Sequence, residues 1–176
     1  VLRFSCLWLL ATALWPVSSA WSQTVLEHAA WLGMSRDQLA PLLVDANAVR
    51  SPRRLSSGAL GTLRVPDVLC EGQHFEQTLF FAQQKLAQIE WVLLNPGAGP
   101  DAETAMLQTQ QALLQSLREK LGPELAGFAV APGSVADSAS WVSAGADVML
   151  FRSGKANHPS LRMVMKPRQL VDASEL

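Results

Sequence analysis

GQHFEQTLFFAQQKLAQIEWVLL, residues 72–94, decides the fold. Two apolar-rich runs flank Ala82-Gln83-Gln84-Lys85. In the first, Phe75, Gln77, Leu79 and Phe81 alternate with Glu76, Thr78 and Phe80. In the second, Ala87, Ile89, Trp91 and Leu93 alternate with Gln88, Glu90 and Val92. A period of two sends successive side chains to opposite faces of a strand. One apolar face beside a mostly polar one is what an antiparallel sheet with one solvated side shows. The stretch reads as a β-hairpin.

Working towards the N-terminus, residues 59–65 alternate as a strand, and Pro66-Asp67 interrupts them at an edge or bulge before 68–70 resume. Residues 51–58, SPRRLSSG, have loop composition. Before them, Ser35 and Gln38 have capping-box spacing, and Leu39, Leu42, Leu43 and Ala46 form a helical stripe that Pro41 shortens or kinks. Working towards the C-terminus, Asn95 to Pro100 stops the hairpin and Asp101 is placed as an N-cap. Met106, Leu107, Leu113, Leu114, Leu117 and Leu121 recur at helical spacing, and Gly122-Pro123 ends the helix. Residues 124–139 read as a loop, 140–152 as one strand, 153–159 as a connection, 161–166 as a returning strand and the tail after Pro167 as frayed. In the 140–152 strand, Trp141 shares a face with Met149 and Phe151.

These elements predict an α+β fold: one domain over 21–176, with an antiparallel sheet of four to six strands packed by one long helix. That helix is expected to hold the 72–94 hairpin through its Ala87, Ile89, Trp91 and Leu93 face. Both 33–94 and 101–168 run as a capped helix followed by antiparallel strands. A tandem repeat is an open reading of that similarity.

The chain of 176 residues is 49% hydrophobic and 16% charged, with a net charge of −1, apolar enough to bury a core. No basic footprint for nucleic acid is present. Arg50, Arg53 and Arg54 read as a solvated loop. Residues 1–20 have signal-peptide order: Arg3, an apolar run from Phe4 to Trp15, then Ser18-Ser19-Ala20 for cleavage. The run is shorter than the ~20 residues a membrane span needs. A periplasmic or secreted location and no stable membrane insertion after cleavage near Ala20 are expected; a retained anchor is the alternative. Cys6 lies at the front of the apolar run rather than at its end, so no lipid anchor is predicted. Cleavage leaves Cys70 as the sole cysteine, either a buried hydrophobe or a thiol that pairs between chains.

The densest polar group is Asp67, Cys70, Glu71, His74 and Glu76. Cys70 and His74 suggest a metal site or a thiol with a base. The carboxylates beside Cys70 would raise its pKa, and no partner pair completes a ligand set. Solvated strand-and-turn residues are the preferred reading. His28 and His158 stand alone. Glu90 and Asp147 are a candidate carboxylate pair only in the sense that most acids of a small protein are. Ser134 and Ser143 lack a nucleophile elbow, and Gly97-Ala98-Gly99 lacks the further glycine of a dinucleotide loop. No catalytic residue, cofactor or metal is predicted. Gln88, Glu90, Trp91 and Trp141 are the candidate binding residues; core packing is the competing role for the two tryptophans.

GMSRDQL at 33–39, followed by a β-meander, resembles the helix–hairpin units of small outer-membrane assembly lipoproteins and of the β-lactamase-inhibitor-protein fold. The whole chain is similar to bacterial exported proteins of plan helix–β-meander–helix–hairpin. It departs from the lipoproteins in lacking a lipobox cysteine and in its length. The resemblance implies a periplasmic protein-binding or inhibitor-type module. The function expected is non-enzymatic binding of a protein or cell-envelope partner. An inhibitor or immunity-type protein is the alternative, followed by a small hydrolase or metal-dependent enzyme using Asp67, Cys70 and His74.

Overall fold

A computed structural model describes residues 24–97, 99, 101–125, 138–155 and 158–168. The expected leader with Cys6, Ser134, most of the expected 124–139 loop and the expected tail lie outside the described residues. The hairpin forms as expected. Strand β3 (Gln73–Ala82) turns through Gln83 and Gln84, at φ 49° and 65°, into β4 (Lys85–Leu93). Positive φ at both central residues makes a two-residue turn whose twist matches the strands it joins.

Strand β2 (Leu60–Cys70) pairs antiparallel with β3 through the Glu71-Gly72 turn. Pro66 and Asp67 do not end it. A register shift between Val65 and Val68 absorbs them as a bulge, which a proline missing its N–H permits. A two-residue strand, β1 (Asn47–Ala48), covers the outer edge of β2 at Leu63 and Arg64.

The stretch read as a single strand over 140–152 is two strands. Strand β5 (Ser138–Ser143) turns at Ala144-Gly145, φ 49° and 76°, into β6 (Ala146–Lys155). Strand β7 (His158–Pro167) returns beside β6, and the expected connection over 153–159 is largely strand. Among the described residues the sheet therefore has seven strands rather than four to six, in the order β1-β2-β3-β4-β7-β6-β5. Every pairing is antiparallel. The two meanders meet where their last strands, β4 and β7, pair.

Helices α1 (Val25–Ala29) and α2 (Arg36–Leu39) both begin with capping boxes, from Thr24/Glu27 and from Ser35/Gln38. Pro41 converts the end of α2 into a 3-10 turn over Ala40–Leu42, so the expected helix is short. Helix α3 (Ala102–Leu121) ends at Gly122, φ 86°. Asp101 precedes α3 but makes no side-chain cap, contrary to expectation; only its carbonyl accepts, from the Ala105 amide. No helix of the described residues is long and apolar enough to cross a membrane.

One apolar core joins Val25, Leu39 and Leu43 to the sheet and to Met106, Leu113, Leu114 and Leu117 of α3. All three helices thus cover the same face. Each of those four α3 side chains contributes roughly 1.5–3 kcal/mol by burial, before entropy. Helix α3 packs closest to β7 and then β5. The N-terminal segment also covers the hairpin. Gly33 and Met34 exchange backbone hydrogen bonds with Leu86, at 2.9 and 2.8 Å, and the His28 ring meets Trp91 edge-on.

Candidate functional site

Cross-strand register sorts every strand residue to a face. On the helix side one row runs Val65, Gln77, Trp91, Met163, Leu150, Ala139. The next runs Leu63, Leu79, Ile89, Met165, Val148, Trp141. On the opposite face, which no described helix covers and which is here termed open, lie Arg64, Thr78, Glu90, Val164, Met149 and Ser140 in one row, with Glu90 and Val164 buried. Glu76, Val92, Arg162, Phe151 and Ser138 form the neighbouring one.

The four candidate binding residues are therefore split. Gln88 and Glu90 stand on the open face, while Trp91 and Trp141 are buried on the helix side. Trp141 also donates from Nε1 to the Gly122 carbonyl at 3.1 Å, tying the end of α3 to β5. Its expected companions Met149 and Phe151 are across the sheet, because the two-residue turn at 144–145 reverses the parity of everything after it.

Glu90 occupies the middle of the open face. Arg53 donates from one guanidinium nitrogen to both carboxylate oxygens, at 2.7 Å each, and Arg162 lies 3.9 Å away. Glu90 is 7% exposed by side chain against 54% for Arg53 and 41% for Arg162, so solvent meets the guanidinium groups. Arg53 also covers the Phe80 ring, 5.0 Å from its centroid, and Arg162 covers Phe151 at 5.3 Å. Of the three arginines expected in a solvated loop, Arg50 and Arg54 are exposed in one, and Arg53 alone reaches over the sheet. Around this triad Val92, Met149 and Phe151 are half-buried.

The polar group at the β2–β3 turn does not converge. Asp67 and His74 pair with each other on the surface at 2.7 Å. Glu76 faces Arg64 at 3.4 Å on the open side. Cys70 and Glu71 are buried. Glu71 accepts from the Val25 amide at 3.1 Å, Ser116 Oγ at 2.5 Å and Lys120 Nζ at 2.6 Å. Burial would raise its pKa; the hydrogen bonds from Lys120, Ser116 and Val25 outweigh that and hold the carboxyl below its ordinary range. Glu71 is a clasp joining α1, the first meander and α3. Burial, then the Glu71 charge, pushes the Cys70 thiol up to about 12, so it is a small hydrophobe with almost no thiolate. Among the described residues no three His, Cys, Asp or Glu side chains lie close enough to hold a metal ion. Asp147 faces Lys166 in its own row, apart from Glu90, and His158 is exposed at the start of β7.

A polar group missed by sequence reading lies inside the helix-side rows. Gln77 is 1% exposed, and neither its Oε1 nor its Nε2 has a hydrogen-bond partner. Trp91, its cross-strand neighbour, has an unpartnered Nε1. His28 packs against Trp91, its Nδ1 bonded to the Thr24 carbonyl at 2.9 Å and its Nε2 unpartnered. An unmade hydrogen bond at a buried polar atom costs about 1–3 kcal/mol. The signal was present in the sequence: Gln77 is the polar residue in the apolar phase Phe75, Leu79, Phe81. Gln77 lines a cleft of about 230 Å³ between residues 42–45 and the β2 bulge. A second cleft, about 450 Å³, lies beside the Gln83-Gln84 turn and takes in Arg36, Ser57 and Thr62.

No protein-family model, curated protein or solved structure matches this chain.

Proposed function

We propose that this is an exported, non-enzymatic binding module whose open sheet face takes a protein partner bearing apolar side chains ringed by carboxylates. One observation carries the reading. All three described helices cover one side of the sheet, and the other side holds Val92, Met149 and Phe151 around guanidinium groups. Large interfaces have this composition: an apolar and aromatic centre, with arginine favoured over lysine. Arg53 and Arg162 flank the single Glu90 carboxylate, and the positive charge left in excess favours an acidic partner. The signal-peptide order of residues 1–20 supports export, and the resemblance of residues 33–39 to envelope binding modules agrees with it.

A photoreactive side chain placed at Gln88 or Phe151 in the expressing cell tests the surface. A discrete adduct with one protein is expected from both positions and is lost on Arg162→Glu. The same probe at Gln111, on the solvent side of α3, should give none. Equal adducts from Gln111, or none from the sheet, would sink the reading. N-terminal sequencing tests export: a chain beginning at Trp21 is expected outside the cytoplasm.

A further inference from the structure

We propose that Arg53 and Arg162 form the anchor subsite of the open face, taking one aspartate or glutamate side chain that the partner protein presents between apolar residues. This rests on the open-face reading and deepens it, by naming the contact on which affinity depends.

The geometry sets the charge of the ligand. Both guanidinium groups lie within ion-pair reach of the one Glu90 carboxylate, at 2.7 and 3.9 Å, so they are close enough together for one ligand carboxylate to bridge them. Two charge-assisted bonds of about 2.8 Å would span them from the solvent side. Two guanidinium charges against one carboxylate leave a single positive charge in excess. Neighbouring charges pair off: Arg64 with Glu76 at 3.4 Å, and Lys166 opposite Asp147 across β7 and β6. A monoanion therefore neutralises the site, whereas a phosphate dianion overshoots. A cation would meet two exposed guanidinium groups before it reached the buried Glu90.

The donors are unspent and held in place. Among the described residues Arg53 donates only from one terminal nitrogen, to Glu90, and Arg162 donates no hydrogen bond. A guanidinium carries five N–H donors, so both keep N–H groups for a ligand, and both side chains are exposed. The Phe80 and Phe151 rings, 5.0 and 5.3 Å from the guanidinium carbons, hold the two side chains down, so less rotamer freedom is lost on binding. The surroundings set the rest of the ligand. Val92 and Phe151 are the cross-strand neighbours of Arg162 on its two sides, Met149 lies in the next row, and all three are half-buried. Neighbouring strands are about 4.8 Å apart, so apolar side chains flanking the acid would cover the ion pair and exclude water from it. A covered pair of this kind contributes more than one at a wet rim.

The test uses the ¹⁵N-labelled full chain and three capped peptides: Ac-Leu-Glu-Leu-NHMe, its Gln analogue and Ac-Gly-Glu-Gly-NHMe. The first should give saturable shifts of the Arg53 and Arg162 Nε–H signals and of the Val92 and Arg162 backbone amides. The Gln peptide should bind about tenfold or more weakly, for want of the charge. The Gly-flanked peptide should bind about threefold or more weakly, for want of apolar cover. Arg162→Gln and Arg53→Gln should each weaken the Glu peptide towards the level of the Gln peptide. Arg162→Lys, which keeps the charge and loses the planar fork, should fall between. Equal response to any two of the three peptides, no saturable response, or binding that survives both Gln variants would overturn the proposal. The crosslinks from Gln88 and Phe151 report on the open face separately: a discrete adduct without Glu-selective peptide binding leaves the face standing and sinks this anchor.

Discussion

His28 bonds the Thr24 carbonyl through Nδ1 at 2.9 Å and buries its ring between Trp31 and Trp91. Burial lowers its pKa below 6.5, against smaller opposing contributions from Thr24, Glu27 and Glu71. The unfolded chain therefore takes up this proton more readily, and stability falls as pH drops below about 6.5. Glu71 acts in a lower window. Its folded carboxyl lies below 4.5, so the stability it contributes is present above that pH and is lost as pH falls through the folded value. Urea midpoints measured against pH should show both declines, and His28→Phe should flatten the upper one alone. An unchanged upper slope in that variant would remove His28 as its source. Gly61 is the other residue with a sharp expectation. A Cβ there would lie 2.8 Å from the Phe80 ring and 3.0 Å from Thr78 Cγ2. Gly61→Ala should cost about 1–3 kcal/mol by overpacking and loosen Arg53 from Phe80 and Glu90; a neutral effect in denaturation would show that the ring yields. Neither site was legible from composition. The contact of Gly61 with Phe80 arises from strand register, and His28 in sequence is one histidine among three.

Helix α3 was legible almost to the residue, because a 3.6-residue apolar period closed by Gly122-Pro123 has few other solutions. Of its six periodic side chains, Met106, Leu113, Leu114 and Leu117 are buried, whereas Leu107 and Leu121 are half-buried. Leu117→Ala should cost about 2–5 kcal/mol in urea unfolding, and a loss below about 0.5 kcal/mol would show that the helix is not held by this stripe. The 140–152 strand was misread because alternation survives on both sides of a tight turn. Ala144-Gly145 is a weaker turn signal than Asn-Gly, and two turn residues shift the phase without leaving a visible break. That shift returned Trp141 to the core and sent Met149 and Phe151 to the open face.

At the scale of the molecule, β4 and β7 are the seam between the two meanders and, among the described residues, the only strands that join them. Their central amides are flanked on both sides by paired strands. Hydrogen exchange should be slowest there and fastest in β1 and β5 at the sheet edges; exchange in β5 as slow as in β7 would contradict this layout. The sequence by itself determined the local elements: the hairpin of 72–94, the capped helix starts, the long helix and the α+β class. Each rests on interactions within a few residues, where periodicity, caps and turn chemistry act. Tertiary structure alone decided the seven-strand order, the grouping of helices on one face, the Arg53 clasp over Glu90 and the isolation of the Gln77 amide. Those depend on which distant strands pair and in what register, and one residue of slip sends every side chain to the other face.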